Sequence, residues 1–322
     1  MKTVDSAVMK AARVHQFGGP EVIAFEEVAR PLPAKGQVLV RVQAAGVGPW
    51  DAWVRGGKSV IAHALPLTLG SDLSGSVVAV GQSVTHFQAG DEVFGLTNAE
   101  FTGAYAEYAI AEAGMIAAKP HRLSHIEAAS VPVVASTAWQ MVFDYGQVEA
   151  GKRVLVRGAA GNVGAYAVQL AKRAGAEVIA TAFPRDLEYV RNLGADQVID
   201  AKTKRFELEV ENIDVVLDTV GGESQERSFE ILKPGGVLVS SVSPPDQRKC
   251  EQRQIKSVFF LVAVTTQGLT QIASLFDSNQ LTTDVGEVLP LAEARRAHEM
   301  LAGQPHKRGK IVLVAAENST TP

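Results

Sequence analysis

Apolar residues follow two different rhythms along this chain. Up to about residue 130 they alternate with polar ones or come in short β-branched runs. Val38, Val40 and Val42 alternate with Leu39, Arg41 and Gln43, which predicts a strand with at least one buried face. Gly81 closes the run 77–80, and Gly90-Asp91 precedes Val93-Phe94. Turn residues at this density predict short strands joined by tight turns.

From about residue 130 strand and helix patterns alternate. A strand is predicted over 153–157 and a helix over 163–174, where Val163, Ala167, Leu170 and Ala174 fall on one helical face before Gly175. A strand over 177–182 follows, then a helix opened by Pro184 and ended by Gly194. Strands at 198–199, 213–220, 237–242 and 258–264 and helices at 224–232 and 269–277 complete the series. Such alternation predicts an α/β doubly wound parallel sheet with helices on both faces. Beyond about 285 the pattern is mixed, with a helix over 293–302 and a closing strand over 310–314.

Composition changes this picture little. The 322 residues suggest two domains. A net charge of -4 with scattered basic residues gives no ground for a nucleic acid or an anionic membrane as partner. The longest apolar run, 258–264, is far short of a membrane span. The single cysteine, Cys250, excludes an intramolecular disulfide and a multi-thiolate metal site. The segment from Met1 to Lys10 lacks the apolar core of a signal peptide, so the expected location is the cytosol.

The chemistry is carried by Gly158-Ala159-Ala160-Gly161-Asn162-Val163-Gly164, a glycine-rich turn between a predicted strand and helix. Ala159 stands where the usual dinucleotide fingerprint has its first glycine. Gly161 lets the backbone approach a pyrophosphate, and Gly164 lets the helix pack close to the strand. The helix N-terminus offers N–H groups to the phosphates. A tight turn in a nucleotide-free α/β domain would show the same glycines. The next strand ends Ala182-Phe183-Pro184-Arg185, with no carboxylate for ribose hydroxyls and an arginine suited to a 2′-phosphate. That favours NADPH; the bland alternative makes Arg185 a solvated residue of a first helical turn.

Further landmarks stand in order: Phe17-Gly18-Gly19-Pro20, Ala45-Gly46-Val47, Gly70-Ser71-Asp72, Gly90-Asp91-Glu92-Val93, Gly103-Ala104-Tyr105-Ala106-Glu107-Tyr108, Asp218-Thr219-Val220-Gly221-Gly222 and Arg308-Gly309-Lys310-Ile311-Val312. With them the chain resembles the zinc-independent quinone oxidoreductase (zeta-crystallin-like) branch of the medium-chain dehydrogenase/reductase family. The resemblance implies a GroES-like β-rich catalytic domain over 1–129 and 286–322. A Rossmann domain over 130–285 would be inserted in it, with the active site in the cleft between and a homodimer as the common assembly. It further implies cofactor contacts from Thr137, Val220 and Ser243, from the backbone of Phe260 and Val262, and from Lys310, beside the turn residues Ala159 to Gly164. Read without the family, Thr137 is a helix residue, Phe260 and Val262 are core strand, and Lys310 is a solvated cation.

Two departures bear on the substrate. Related zinc alcohol dehydrogenases carry a Cys and a Gly-His-Glu where this chain has 48–51 and Gly70-Ser71-Asp72. The seven histidines form no short ligand motif. Quinone reductases of the family commonly have Asn where Gly48 stands. The expected reaction is hydride transfer from NADPH to an acceptor already activated, a quinone or an enone, with no metal ligands assigned. Trp50 and Trp53 are candidates to stack on a flat acceptor, or else cap the β core; Asp51 is a candidate substrate ligand, or else a helix cap. A short-chain dehydrogenase is excluded, because none of the five tyrosines has Lys four residues later. An enoyl or alkenal reductase and a non-catalytic NADPH-binding protein remain as alternatives.

Overall fold

A computed structural model describes residues 8–315. Most of the segment read for a signal peptide, residues 1–7, lies outside the described residues. The chain forms two compact units. One runs to Val133 and resumes at Val264; the other is Val134–Ala263.

The chain opens with β1 (Val8–Val14) and β2 (Ile23–Ala29), and continues through β3 (Gln37–Val47), helix α1 (Pro49–Arg55), β4 (Leu67–Thr68), β5 (Asp72–Val80), β6 (Glu92–Leu96), β7 (Tyr108–Glu112) and β8 (Ile116–Ala118). β1 pairs with β2 and β4 in a three-stranded antiparallel sheet. The predicted alternation around Val38 to Val42 is the middle of β3, an 11-residue strand that pairs with both β5 and β7. Short helices α2 (His125–Ala129) and α3 (Pro132–Trp139) follow. α2 starts with a capping box: Ser124 Oγ accepts from Glu127 N, and Ser124 N donates to the Glu127 carboxylate.

The second unit is built on β9 (Arg153–Arg157), α4 (Asn162–Arg173), β10 (Glu177–Ala182), α5 (Leu187–Asn192), β11 (Gln197–Asp200), β12 (Ile213–Asp218), α6 (Glu223–Arg227), β13 (Leu232–Ser240), α7 (Gln247–Arg253) and β14 (Lys256–Phe259). All pairs are parallel, in the order β11-β10-β9-β12-β13-β14. Strand order reverses between β9 and β12. In open α/β sheets that reversal, at the carboxyl ends of the strands, is where ligands bind. Val154, Leu155 and Val156 of β9 are fully buried, as a central parallel strand covered on both faces requires.

Three expectations change here. The apolar run 258–264 is not a strand throughout; β14 ends at Phe259. Phe260 then packs its ring on Tyr145 (centroids 4.5 Å apart), and Gln140 clamps Ala263 through both backbone groups. The helix expected over 224–232 stops at Arg227, continues as a single 3-10 turn, and gives way to β13 at Leu232. The return to the first unit comes at Val264, not at 286. The reason is α8 (Thr266–Asp277): Thr266 Oγ1 donates to the carbonyls of Ala113 and Ile116, and Arg122 N donates to Asp277. β15 (Val285–Pro290), α9 (Ala294–Leu301) and β16 (Lys310–Val314) then complete the first unit. β16 joins β3 antiparallel and gives the sheet order β15-β16-β3-β5-β6-β8. The predicted closing strand is β16 residue for residue. Among the described residues no helix is long and apolar enough to cross a membrane.

Candidate functional site

In the second unit, parallel pairing brings the segments after β9, β10, β12, β13 and β14 to one rim. These are 158–164, 183–185, 219–222, 241–243 and 260–262. Sequence reasoning placed every candidate cofactor residue but Thr137 and Lys310 on this rim.

The turn after β9 explains why Ala159 is tolerated. Gly158, one residue earlier, makes the turn at φ +69°, and a Cβ there would lie 2.7 Å from Thr219 Oγ1. Ala159 is buried and donates its N–H to Thr181 O (3.0 Å). Gly164 has the role expected: a Cβ would stand 2.2 Å from Gly158 O, so only glycine lets α4 approach the turn. At Gly161 a Cβ would meet no protein atom closer than 3.3 Å. That contact, with Gly158 O, is tight but far milder than the one at Gly164, so internal packing demands glycine less at 161 than at 164. Asn162, Val163 and Gly164 form the first turn of α4, where N–H groups have no helical acceptor and the dipole is positive. This cradle fits the diphosphate of a dinucleotide.

The end of β10 presents Phe183 and Arg185 outward. Arg185 is 85% exposed and makes a long contact to Asp186 (3.4 Å). Asp186 itself is buried, so its carboxylate is not presented outward at this strand end. Val220 and Val242 are exposed on the same rim, giving it apolar walls. Ser243 lies just past β13; its backbone carbonyl accepts from Gln225 and its N–H donates to Ser240 Oγ (3.2 Å). Phe260 is buried and Val262 half-buried. Both lie past the end of β14, so their backbone groups are outside the strand ladder. Thr137 is a buried residue of α3.

Sequence reasoning gave no role to two residues that organise this rim. Thr181 holds the turn through Gly158 N and Ala159 N. Asp218 is fully buried at the end of β12 and accepts from Arg157 Nη1 (2.7 Å) and from Val220 N and Gly221 N (3.1 Å each). A carboxylate ending an apolar strand just before Thr-Val-Gly-Gly was the available signal.

In the first unit a second polar cluster lies under α1. Asp51 is fully buried. Its Oδ2 accepts from Gly48 N (2.8 Å) and from the Tyr105 hydroxyl (2.9 Å), closing the first turn of α1. That corrects the substrate-ligand reading in favour of the cap. Burial pushes the Asp51 carboxyl up to about 7, against the pull of Gly48 N–H, the Lys310 ammonium and Tyr105. Burial also holds the Tyr105 hydroxyl far above its usual range, and Asp51 adds to this, so Tyr105 remains a donor. Lys310 is not a solvated cation. It is buried, and its ammonium lies 3.1 Å from Asp72 and 4.3 Å from the Trp50 ring centroid. Asp72 is raised by burial and lowered by Lys310.

Trp50 is half-buried; its indole Nε1 donates to Ser71 Oγ (3.0 Å) and Phe101 meets it edge-on. Gly48 is coupled to it, because a Cβ at 48 would lie 2.3–2.5 Å from three indole ring carbons. The family Asn and this placement of Trp50 exclude one another. Trp53 is exposed, on the same short helix. His298 is structural: it accepts from Arg55 Nη1 at Nδ1 (2.8 Å), and burial and Arg55 lower it to about 3, so it is neutral. Among the described residues no group of three or more His, Cys, Asp or Glu side chains gathers where it could hold a metal.

Comparison with known proteins agrees with both units. Residues 34–121 match the alcohol dehydrogenase GroES-like domain, and residues 193–313 match the zinc-binding dehydrogenase family. The chain is 32% identical over 325 residues to a quinone oxidoreductase of Sus scrofa, covering 95% of this chain and 98% of that one. It is 30% identical to the mitochondrial NAD(P)H oxidoreductase RTN4IP1 of Danio rerio, over 97% of this chain and 92% of the other. The solved quinone oxidoreductase of Coxiella burnetii superposes with a TM-score of 0.89 at 34% identity, over 96% and 99% of the two chains. The chain belongs to the medium-chain dehydrogenase/reductase family, among its quinone oxidoreductase relatives, and is a nicotinamide-dinucleotide oxidoreductase.

Proposed function

We propose that this enzyme is an NADPH-dependent, zinc-independent reductase of quinones or similarly activated carbonyl compounds. The observation that carries this reading is the placement of Trp50. Its indole fills the space at Gly48 and donates to Ser71. Those are positions where zinc alcohol dehydrogenases keep side chains that bind metal. Without such a Lewis acid the acceptor must delocalise negative charge by itself, as quinones and enones do. The exposed Arg185 and the missing carboxylate at the β10 end support NADPH over NADH.

In this reading the turn 158–164 binds the diphosphate and Arg185 the 2′-phosphate. Segments 219–222 and 241–243 and the backbone at Phe260 and Val262 orient the ring end. A reduced nicotinamide supplies the hydride when bound. Trp50, with Trp53 beside it on α1, provides a flat apolar surface for the acceptor. A homodimer working in the cytosol completes the proposal. Names such as quinone oxidoreductase among the relatives support the quinone reading; an enone reductase would use the same groups.

The test is NADPH oxidation followed by absorbance against naphthoquinones and short enones, with NADH in parallel and metal content measured by mass spectrometry. Turnover on quinones with NADPH preferred and no stoichiometric zinc is expected. Stoichiometric zinc, or preference for NADH, would refute the corresponding part.

A further inference from the structure

We infer that Asp218 is a positioning residue that holds the walls of the cofactor groove in register. Five donors converge on its buried carboxylate. Oδ1 takes Arg157 Nη1 (2.7 Å), Val220 N (3.1 Å) and Gly221 N (3.1 Å); Oδ2 takes Gln225 Nε2 (3.0 Å) and, at 3.4 Å, Ser240 Oγ. The donors come from three segments bordering the rim or from side chains that tie those segments down. Arg157 precedes the glycine turn, and its carbonyl accepts from Thr219 Oγ1 (2.7 Å). Val220 and Gly221 are the loop after β12. Gln225 also donates to Ser243 O (3.1 Å), while Ser240 Oγ accepts from Val242 N and Ser243 N (3.3 and 3.2 Å). Arg157 also reaches Ser224, whose hydroxyl donates to Gly221 O.

One carboxylate thus ties the turn after β9 to the loops after β12 and β13, across the point where strand order reverses. Hydrogen bonds to a charged acceptor are the stronger kind, and buried donors left unpaired are costly. The dinucleotide meets walls already fixed, and binding need not order them. Asp218 itself has no exposed surface, so it acts only through the groups it holds.

The inference rests on reading 158–164 and 219–222 as the cofactor groove, and the experiment separates the two. NADPH and NADH are titrated into wild type, Asp218→Asn and Gln225→Leu, with intrinsic fluorescence as the readout and thermal melting alongside. In Asp218→Asn the amide has one acceptor oxygen, and its NH2 faces donors. Cofactor affinity should weaken about tenfold, while kcat at saturating cofactor falls much less. Gln225→Leu, which keeps the charge and its other donors, should weaken affinity a few-fold, and it decides the matter if Asp218→Asn does not fold. Failure of wild type to bind either cofactor would overturn the groove itself. Wild-type binding with unchanged affinity in a folded variant would overturn the role of Asp218 alone.

Discussion

The two units each bury a carboxylate system against a cation, and they treat the charge differently. Asp218 in the second unit has five donors, two of them backbone N–H groups and three side chains. In the first unit two carboxylates, Asp51 and Asp72, share the neighbourhood of one ammonium, Lys310. Asp51 has two donors, and its Oδ1 is buried without a hydrogen-bond partner. Burial penalises an ionised acid unless donors compensate. The carboxylate with five donors joins the loops after β9, β12 and β13; the one with two is pushed up by burial to a pKa of about 7.

The largest effect expected from this contrast is on stability. Lys310→Met leaves Asp72 and Asp51 buried without a cation and should cost about 3–5 kcal/mol in denaturant unfolding. Adding Asp72→Asn should restore much of that loss. Arg157→Met should cost less, because Asp218 keeps four donors. Equal losses would show that donor number does not govern these two sites.

Next comes pH. The Asp51 carboxyl is raised in the folded chain from 3.8 to about 7. Between those values the folded protein holds a proton that the unfolded chain has released. Stability contributed by this group is therefore greatest below about pH 4, declines as pH rises, and levels off above 7. The full difference is at most about 4 kcal/mol. Asp51→Asn should flatten the melting temperature across this window relative to wild type. An unchanged slope would mean that another group titrates there.

These networks also mark the limit of what the sequence reveals. β9, α4 and β10 were legible because their signals are local: an apolar strand, a glycine turn, a helical face. What the sequence did not disclose is that Gly158, one residue before Ala159, provides the positive φ of the turn. The residues expected at a cofactor rim came from the family order of landmarks. Illegible were contacts between distant positions. Lys310 and Asp72 are 238 residues apart, and Arg157 and Asp218 are 61 apart. Nor does the sequence show why Gly48 replaces the family Asn: the Trp50 indole fills the space a Cβ there would need. The return at Val264 hid because α8 docks by two Thr266 hydrogen bonds that no periodicity announces.

A smaller effect probes the lid of the first-unit cluster. Trp50→Phe keeps an aromatic face over Lys310 and removes the donor to Ser71 Oγ, which is buried. The stability loss should be about 1 kcal/mol. If Trp50 faces the acceptor, KM for a naphthoquinone should change more than KM for a short enone, whose contact area is smaller. Parallel changes in both would make Trp50 a cluster residue only.

The smallest stability effect is expected at Arg185, which belongs to neither network. At 85% exposure, with one long contact to Asp186, its loss should move unfolding by less than about 0.5 kcal/mol. Its effect on cofactor choice should be out of proportion. A guanidinium meeting a 2′-phosphate makes charge-assisted bonds absent with NADH, so Arg185→Ala should lower the ratio of kcat/KM for NADPH over NADH about tenfold. Asp218→Asn should instead weaken both cofactors alike, because it acts on the groove common to them. Arg185→Ala with an unchanged ratio would remove the arginine from the 2′-phosphate site, and Asp218→Asn with a changed ratio would mean that the hub shapes the adenosine end rather than the whole groove.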